Sequence, residues 1–119
     1  MIRVHSKTEI EGRIAARREI EHDGWTGATA RAYLSQVGAP RGDFAAGYDA
    51  YVRAFAKAWT MIERARGSYV DAAREAEREI ARFGVSTESW NLACEVAAAI
   101  EDIHTRVREV AKREAPYGI

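Results

Sequence analysis

The chain has 119 residues, of which 47% are hydrophobic and 30% are charged, a mixture typical of one globular domain and not of a disordered segment. Lysine and arginine together number 18, as do aspartate and glutamate, so no overall field attracts the chain to nucleic acid or anionic lipid. A single cysteine, Cys94, excludes an intrachain disulfide and favours a reducing compartment. No apolar run approaches the ~18 residues that span a bilayer. We therefore expect one soluble cytoplasmic domain over residues 1–119, without a membrane partner.

Two short helices are predicted at the N-terminus. The first begins at Ser6 or Thr8, because each has a glutamate three residues on, the spacing of a capping box. It ends before Gly24, since glycine readily adopts the left-handed conformation that closes a helix. The second begins between residues 26 and 29 and ends at Val37, and its apolar residues recur at helical spacing.

The next segment has the most regular pattern in the chain. Its apolar side chains recur in steps of three and four residues over about 43–83, which predicts one long helix. Gly67 interrupts the composition, and Ser68 with Asp71 has the spacing that caps a new helix. The unbroken phase favours a continuous helix, and a break at Gly67 is the alternative.

A last helix is predicted over about 87–114. Its apolar face consists of Ala93, Val96, Ile100, Ile103, Val107 and Val110. Only a few residues separate this helix from the preceding one, so the two are expected to be antiparallel neighbours. No alternating pattern typical of a strand occurs. The sequence therefore predicts an all-α bundle, in which a long antiparallel helical hairpin (about 43–83 and 87–114) carries the two short helices.

Few residues have a pattern that indicates catalysis or metal binding. Glu19 with His22 and Glu101 with His104 have the i, i+3 spacing found in di-iron helical bundles, which makes a metal-binding bundle our second alternative. The second predicted helix has no carboxylate to complete such a site. Cys94 has no base near it in sequence to activate a thiolate. We therefore predict no catalytic residue, no cofactor and no metal ligand.

Glycine, proline and threonine near the N-terminus follow a spacing known from one family. The residues concerned are Gly24, Thr29, Gly38, Pro40, Arg41, Gly42 and Phe44. Through them, residues 11–48 resemble the N-terminal helix-turn-helix of TetR-type repressors, and the rest of the chain is not covered. The resemblance implies a DNA-binding regulator, in which Arg31 and Arg41 would be the contacts to DNA. We retain this function as the first alternative.

Several residues depart from the TetR-type pattern. Leu34 stands where the family packs a small alanine, and Ala45 and Ala46 replace larger side chains of the recognition helix. Seven basic and six acidic residues precede Gly47, which leaves little of the positive charge that DNA affinity requires. DNA binding is for these reasons ranked second.

The leading interpretation is a non-enzymatic binding protein. Long helices offer side faces that suit helix-mediated recognition of another protein, or self-association. Charges of alternating sign run along the third segment and are typical of a solvated or partner-facing surface, on which we expect Arg64, Arg74, Arg78 and Arg82 to face the partner. Small neutral helical proteins include phage-encoded inhibitors, anti-CRISPR proteins among them. A regulator or inhibitor of that kind is the function we predict.

Overall fold

The computed structural model describes residues 6–114, and within them the chain forms five α-helices and no strand. The helices are α1 (Lys7–Asp23), α2 (Gly27–Gln36), α3 (Asp43–Arg64), α4 (Tyr69–Arg82) and α5 (Glu88–Glu114). This confirms the predicted all-α class. The predicted domain covers 1–119, of which 1–5 and 115–119 lie outside the described residues. None of the helices described has the length and apolar character needed to cross a membrane.

The ends of the first two helices follow from local capping. The hydroxyl of Ser6 accepts a hydrogen bond from the Glu9 backbone N–H at 3.1 Å, and Gly24 closes α1 at φ 64°. Thr26 and Thr29 form a capping box at the start of α2. With 17 residues, α1 is longer than the short helix expected, and only α2, with 10, is short.

The prediction of one continuous helix over 43–83 is wrong, because the chain breaks between Arg64 and Tyr69. Arg66 and Gly67 both have positive φ, 54° and 83°, and the Gly67 N–H donates to the Ile62 carbonyl at 2.9 Å. This left-handed pair closes α3. The hydroxyl of Ser68 then accepts from the Asp71 N–H at 3.2 Å and starts α4.

The break reverses the chain, so α4 folds back along α3. Two ion pairs record the antiparallel direction: Lys57 Nζ lies 3.6 Å from a Glu79 oxygen, and Arg64 lies 3.8 Å from Glu75. The spacing of apolar residues continues past residue 67 because α4 also has an apolar face, which it buries in the bundle through Ala72 and Ala76. Periodicity alone does not distinguish this arrangement from one continuous helix.

The predicted two-armed hairpin is replaced by three helices of alternating direction. Helix α5 is antiparallel to α4, from which only residues 83–87 separate it, but it runs parallel to α3. The Tyr51 hydroxyl donates to Asp102, and one turn further along both helices Phe55 lies under the Arg106 guanidinium. Residues 43–83 therefore do not form a single helix antiparallel to the helix over 87–114.

Helix α3 is the centre of the bundle and packs against each of the other four helices. Its contact with α1 is very close, because glycine faces the partner backbone on both sides. A β-carbon on Gly12 would collide with the Phe44 carbonyl oxygen, and one on Gly47 would collide with the Glu9 carbonyl oxygen. The largest fully buried side chains are Phe55, Ile20, Met61, Val52 and Val96.

Candidate protein-interaction surface

The apolar face of α5 continues beyond the part of the bundle that covers it. Val96, Ile100 and Ile103 are 0%, 2% and 4% exposed, whereas Val107 and Val110 are 45% and 40% exposed. The five side chains lie on one helical face, since they are separated by steps of three and four residues. Helix α3 ends at Arg64 and α4 begins at Tyr69, so neither helix covers Val110, which instead borders a cleft between the end of α1 and α5.

An open apolar groove adjoins this free part of α5. Trp59 and Ile62 from α3, Tyr69 from α4 and Ile103 and Val107 from α5 line it. Its volume is about 290 Å³, just below the ~300–1,000 Å³ typical of small-molecule pockets. Such a groove suits protruding side chains better than an enclosed ligand.

We call this region the α5 end surface. It consists of the groove residues Trp59, Ile62, Tyr69 and Val107 and of Val110, which follows on α5 and lines a neighbouring cleft with the end of α1. Tyr69 is held in place by the imidazole of His104, since the two rings are stacked with their centroids 4.3 Å apart. Trp59 rests against the Phe55 ring at 5.7 Å between centroids. The aromatic wall of the groove is therefore fixed before any partner arrives.

Tyrosine–carboxylate pairs anchor α2 and α1 to α3. The Tyr33 hydroxyl donates to Asp49 at 2.6 Å, and the Tyr48 hydroxyl donates to Glu19 at 2.6 Å. Burial, followed by the hydrogen bond to Asp49, raises the pKa of Tyr33 to about 12. Burial and the hydrogen bond to Glu19 raise the pKa of Tyr48 above its ordinary range. Because both hydroxyls stay protonated as donors, these pairs fix the positions of α2 and α1 on α3.

A second polar cluster joins α1, α3 and α5. Asp102 accepts from the Tyr51 hydroxyl at 2.9 Å and lies 3.3 Å from the Arg17 guanidinium. Burial is the main cause that raises the pKa of Tyr51, and the negative charge of Asp102 raises the pKa of Arg17. Arg106 donates to the backbone carbonyls of Ile20 and Trp25, which places a cation at the C-terminal end of α1. These contacts hold α5 in register at the base of its free part.

The residues proposed to contact DNA lie on separate elements. Arg31, on α2, reaches across to α3, where it donates to the Thr60 hydroxyl at 3.3 Å and lies 3.8 Å from Glu63. Arg41 is exposed in the connection before α3. Among the first eight residues of α3, only Asp43 and Phe44 are exposed.

The four predicted partner-facing arginines are exposed on α3 and α4. Arg64 lies 3.8 Å from Glu75, and Arg74 lies 3.8 Å from Asp71. Arg82 is placed over the Phe83 ring, 5.7 Å from its centroid. Exposed ion pairs of this kind contribute little to stability. The arginines are therefore available for contacts but surround no apolar centre of their own.

The structure does not assemble the two Glu-x-x-His pairs into one site. His22 is bonded to Asp23 at 2.8 Å and Glu19 accepts from Tyr48, while His104 stacks on Tyr69. Within residues 6–114, no three histidine, cysteine, aspartate or glutamate side chains are grouped as metal ligands. Cys94 is half-buried on α5.

Sequence reasoning missed the α5 end surface as a surface. The apolar pattern over about 43–83 includes Trp59, Ile62 and Tyr69, and that over about 87–114 includes Val107 and Val110, so the pattern alone does not distinguish these residues from the core. The sequence signal that could have identified the surface is the pair Gly67 and Ser68, because the chain reverses there and neither α3 nor α4 continues along α5. The tyrosine–carboxylate pairs were also missed, because they join residues that are 16 and 29 positions apart in the sequence.

No family model matches the chain, and comparisons with curated proteins and with solved structures found no similar protein.

Proposed function

We propose that the chain is a non-enzymatic binding protein that recognises another protein through the α5 end surface. The observation that carries the proposal is the continuation of the buried stripe of α5 into Val107 and Val110, both at least 40% exposed. Apolar side chains aligned beside an aromatic groove are typical of sites that accept the apolar face of a helix. Trp59 and Tyr69 belong to the residue types that dominate binding energy at interfaces.

A regulatory or inhibitory role is consistent with this geometry. A small helical domain with such a surface would act by occupying a surface of its partner, as phage-encoded inhibitors of the anti-CRISPR kind do. Arg64 lies at the end of α3 near the groove, where it would belong to a polar rim of the contact. Arg74, Arg78 and Arg82 lie further away along α4, where they would contact a partner that extends beyond the groove.

The arrangement of α3 favours protein binding over the DNA-binding alternative. A recognition helix inserts an exposed face into the major groove, but α1 covers the start of α3 through the close contact of Gly12 with Phe44. Asp43, which begins α3, is an acid that accepts from the Ser6 hydroxyl at 2.9 Å. A carboxylate at that position repels phosphate.

Affinity capture with matched variants tests the proposal. Val107→Glu places a charge on the surface, whereas Val85→Glu makes the same change at a residue that is 70% exposed in the connection before α5. We expect proteins from an extract of the source cells to be retained by wild type and by Val85→Glu and to be lost with Val107→Glu. Retention by all three would contradict the proposal, as would a DNA mobility shift at physiological salt that Arg41→Ala abolishes.

A further inference from the structure

A buried carboxylate on α3 has no cation beside it. Asp49 is 3% exposed, and among the described residues its hydrogen-bond donor is the neutral hydroxyl of Tyr33, 2.6 Å from Oδ1. Within residues 6–114 no arginine, lysine or histidine forms an ion pair with Asp49. A buried charge without a paired cation is costly, so the position of Asp49 points to a cationic group supplied by a ligand.

Asp49 forms part of the wall of an open cavity between α2 and the start of α3. The cavity has a volume of about 570 Å³, within the range of ~300–1,000 Å³ typical of ligand pockets. The second carboxylate oxygen, Oδ2, accepts no hydrogen bond from the described residues and is not sealed from solvent. A ligand in the cavity can therefore reach this oxygen.

The rest of the cavity wall is mostly apolar. It consists of the Tyr33 ring with Val37, Ala39, Pro40 and Ala45, and of Arg41. Arg41 is exposed and does not pair with Asp49. The cavity thus combines a carboxylate oxygen in a buried position with apolar side chains that can contact an aliphatic stem.

The neighbouring tyrosine cluster adds no positive charge to this region. The rings of Tyr33 and Tyr48 lie 5.6 Å apart, and the Tyr48 hydroxyl donates to Glu19. Glu19 therefore brings a second carboxylate to the cluster instead of a counterion for Asp49.

We propose that this cavity binds a primary ammonium group on an apolar stem, as in a lysine side chain or a free alkylamine. The ammonium donates to Asp49 Oδ2, and the stem contacts Val37, Pro40 and Ala45. Because Tyr33 already donates to Oδ1, one oxygen remains for the ligand. That arrangement suits the point charge of an ammonium better than a guanidinium, which pairs with both oxygens of a carboxylate. The site is separate from the α5 end surface and does not depend on the function proposed for that surface.

Three small probes of similar shape test the proposal: n-butylammonium, n-butylguanidinium and the uncharged n-butanol. Their binding is followed by the backbone N–H chemical shifts of isotope-labelled protein. We expect n-butylammonium to shift resonances of the residues that line the cavity and to bind with a Kd of about 1 mM. The Kd of n-butanol should be at least about tenfold higher, and n-butylguanidinium should also bind more weakly than n-butylammonium.

Variants of the protein test the role of the carboxylate. Asp49→Asn removes the charge but keeps an oxygen that accepts from Tyr33, and it should raise the Kd of n-butylammonium at least about tenfold. Asp71→Asn makes the same change at a side chain that is 63% exposed on α4 and should leave the Kd unchanged. Arg41→Ala should lower the Kd about two- to threefold at low salt, because it removes a like charge.

A further variant is used if Asp49→Asn fails to fold by circular dichroism. Ala45→Leu fills the cavity and leaves the carboxylate in place, so it should also weaken the binding of n-butylammonium. Unchanged affinity in this variant, or in folded Asp49→Asn, would overturn the proposal. Equal binding of n-butanol, tighter binding of n-butylguanidinium, or no shift with any probe up to about 10 mM would overturn it as well.

A capped tripeptide with a central lysine between two alanines distinguishes the two sources of the ammonium group. A Kd equal to or lower than that of n-butylammonium supports the site as one for a lysine side chain of another protein. Saturable binding of n-butylammonium without binding of the peptide supports it as a site for a free alkylamine. In either case the binding should be lost with Asp49→Asn and kept with Asp71→Asn.

Discussion

In the first half of α5, Ala93, Val96 and Ile100 are at most 2% exposed, whereas in the second half Val107 and Val110 are 40% or more exposed. Both sets are aliphatic residues on the same face of α5, separated by steps of three and four residues. They differ in what surrounds them, since α3 and α4 flank the first set, whereas past the chain reversal at residues 65–68 the second set is only partly covered. Helical periodicity thus identifies the apolar face of a helix but not whether another element covers it.

The largest effect should come from truncating the covered half. Ile100 is 2% exposed, so Ile100→Ala creates a cavity in the core, and we expect it to lower the free energy of unfolding by about 2–5 kcal/mol. The matched change Val107→Ala, in the free half, should cost roughly 0.5 kcal/mol or less. Urea denaturation of both variants measures the difference, and similar losses would mean that the two halves are equally buried.

The close approach of α1 and α3 gives the next effect. Gly47→Ala drives a β-carbon into the Glu9 carbonyl, so the two helices must separate, at a cost of about 1–3 kcal/mol. Gly38→Ala is the control, because no atom lies within 4 Å of its added β-carbon. Thermal denaturation measures the melting temperature of each variant. If Gly47→Ala and Gly38→Ala both melt at the wild-type temperature, the close contact between α1 and α3 is contradicted.

The chain reversal itself can be tested at Gly67. This residue has φ 83°, a conformation that costs a residue with a side chain about 1–2 kcal/mol. We therefore expect Gly67→Ala to lower the free energy of unfolding by that amount in urea denaturation. Gly84→Ala is the control and should be nearly neutral, because φ is not positive at Gly84 and the added β-carbon makes an ordinary contact. A gain in stability together with increased helical ellipticity would show that α3 and α4 prefer to merge, which would extend the cover over α5.

Alkaline pH should weaken the covered region through its tyrosines. The pKa of Tyr33 rises from 10.0 to about 12 in the folded chain, so the folded state retains a proton that the unfolded state releases. Its contribution to stability is complete below pH 10 and is lost as the pH rises toward about 12. The thermal unfolding midpoint of wild type should fall as the pH rises across this window, and that of Tyr33→Phe should fall less. An equal fall in both proteins would exclude the Tyr33–Asp49 pair as a cause.

The sequence was sufficient for the helices and for most of their ends. Ser6 and Thr26 cap helices as their spacing predicts, because a cap depends on residues three positions apart. Gly67 and Ser68 were recognised as a local signal for a break, but the continuing apolar phase outweighed them. That phase is equally compatible with a helix that folds back, since α4 buries its face on the same bundle through Ala72 and Ala76.

Contacts between distant residues could not be predicted from the pattern. The close approach of Gly12 to Phe44 depends on how α1 and α3 cross. The sequence pattern of a single helix does not specify that crossing. The bond between Tyr48 and Glu19 joins residues 29 positions apart. The α5 end surface depends on the same long-range information, since it exists only where the cover over Val107 ends.

The central claim is that the free part of α5 is a surface that binds another protein. Affinity capture from an extract of the source cells with wild type, Val107→Glu and Val85→Glu tests it most directly, with circular dichroism to show that all three are folded. The account predicts that wild type and Val85→Glu retain the same proteins and that folded Val107→Glu loses them. Retention of the same proteins by all three would contradict it.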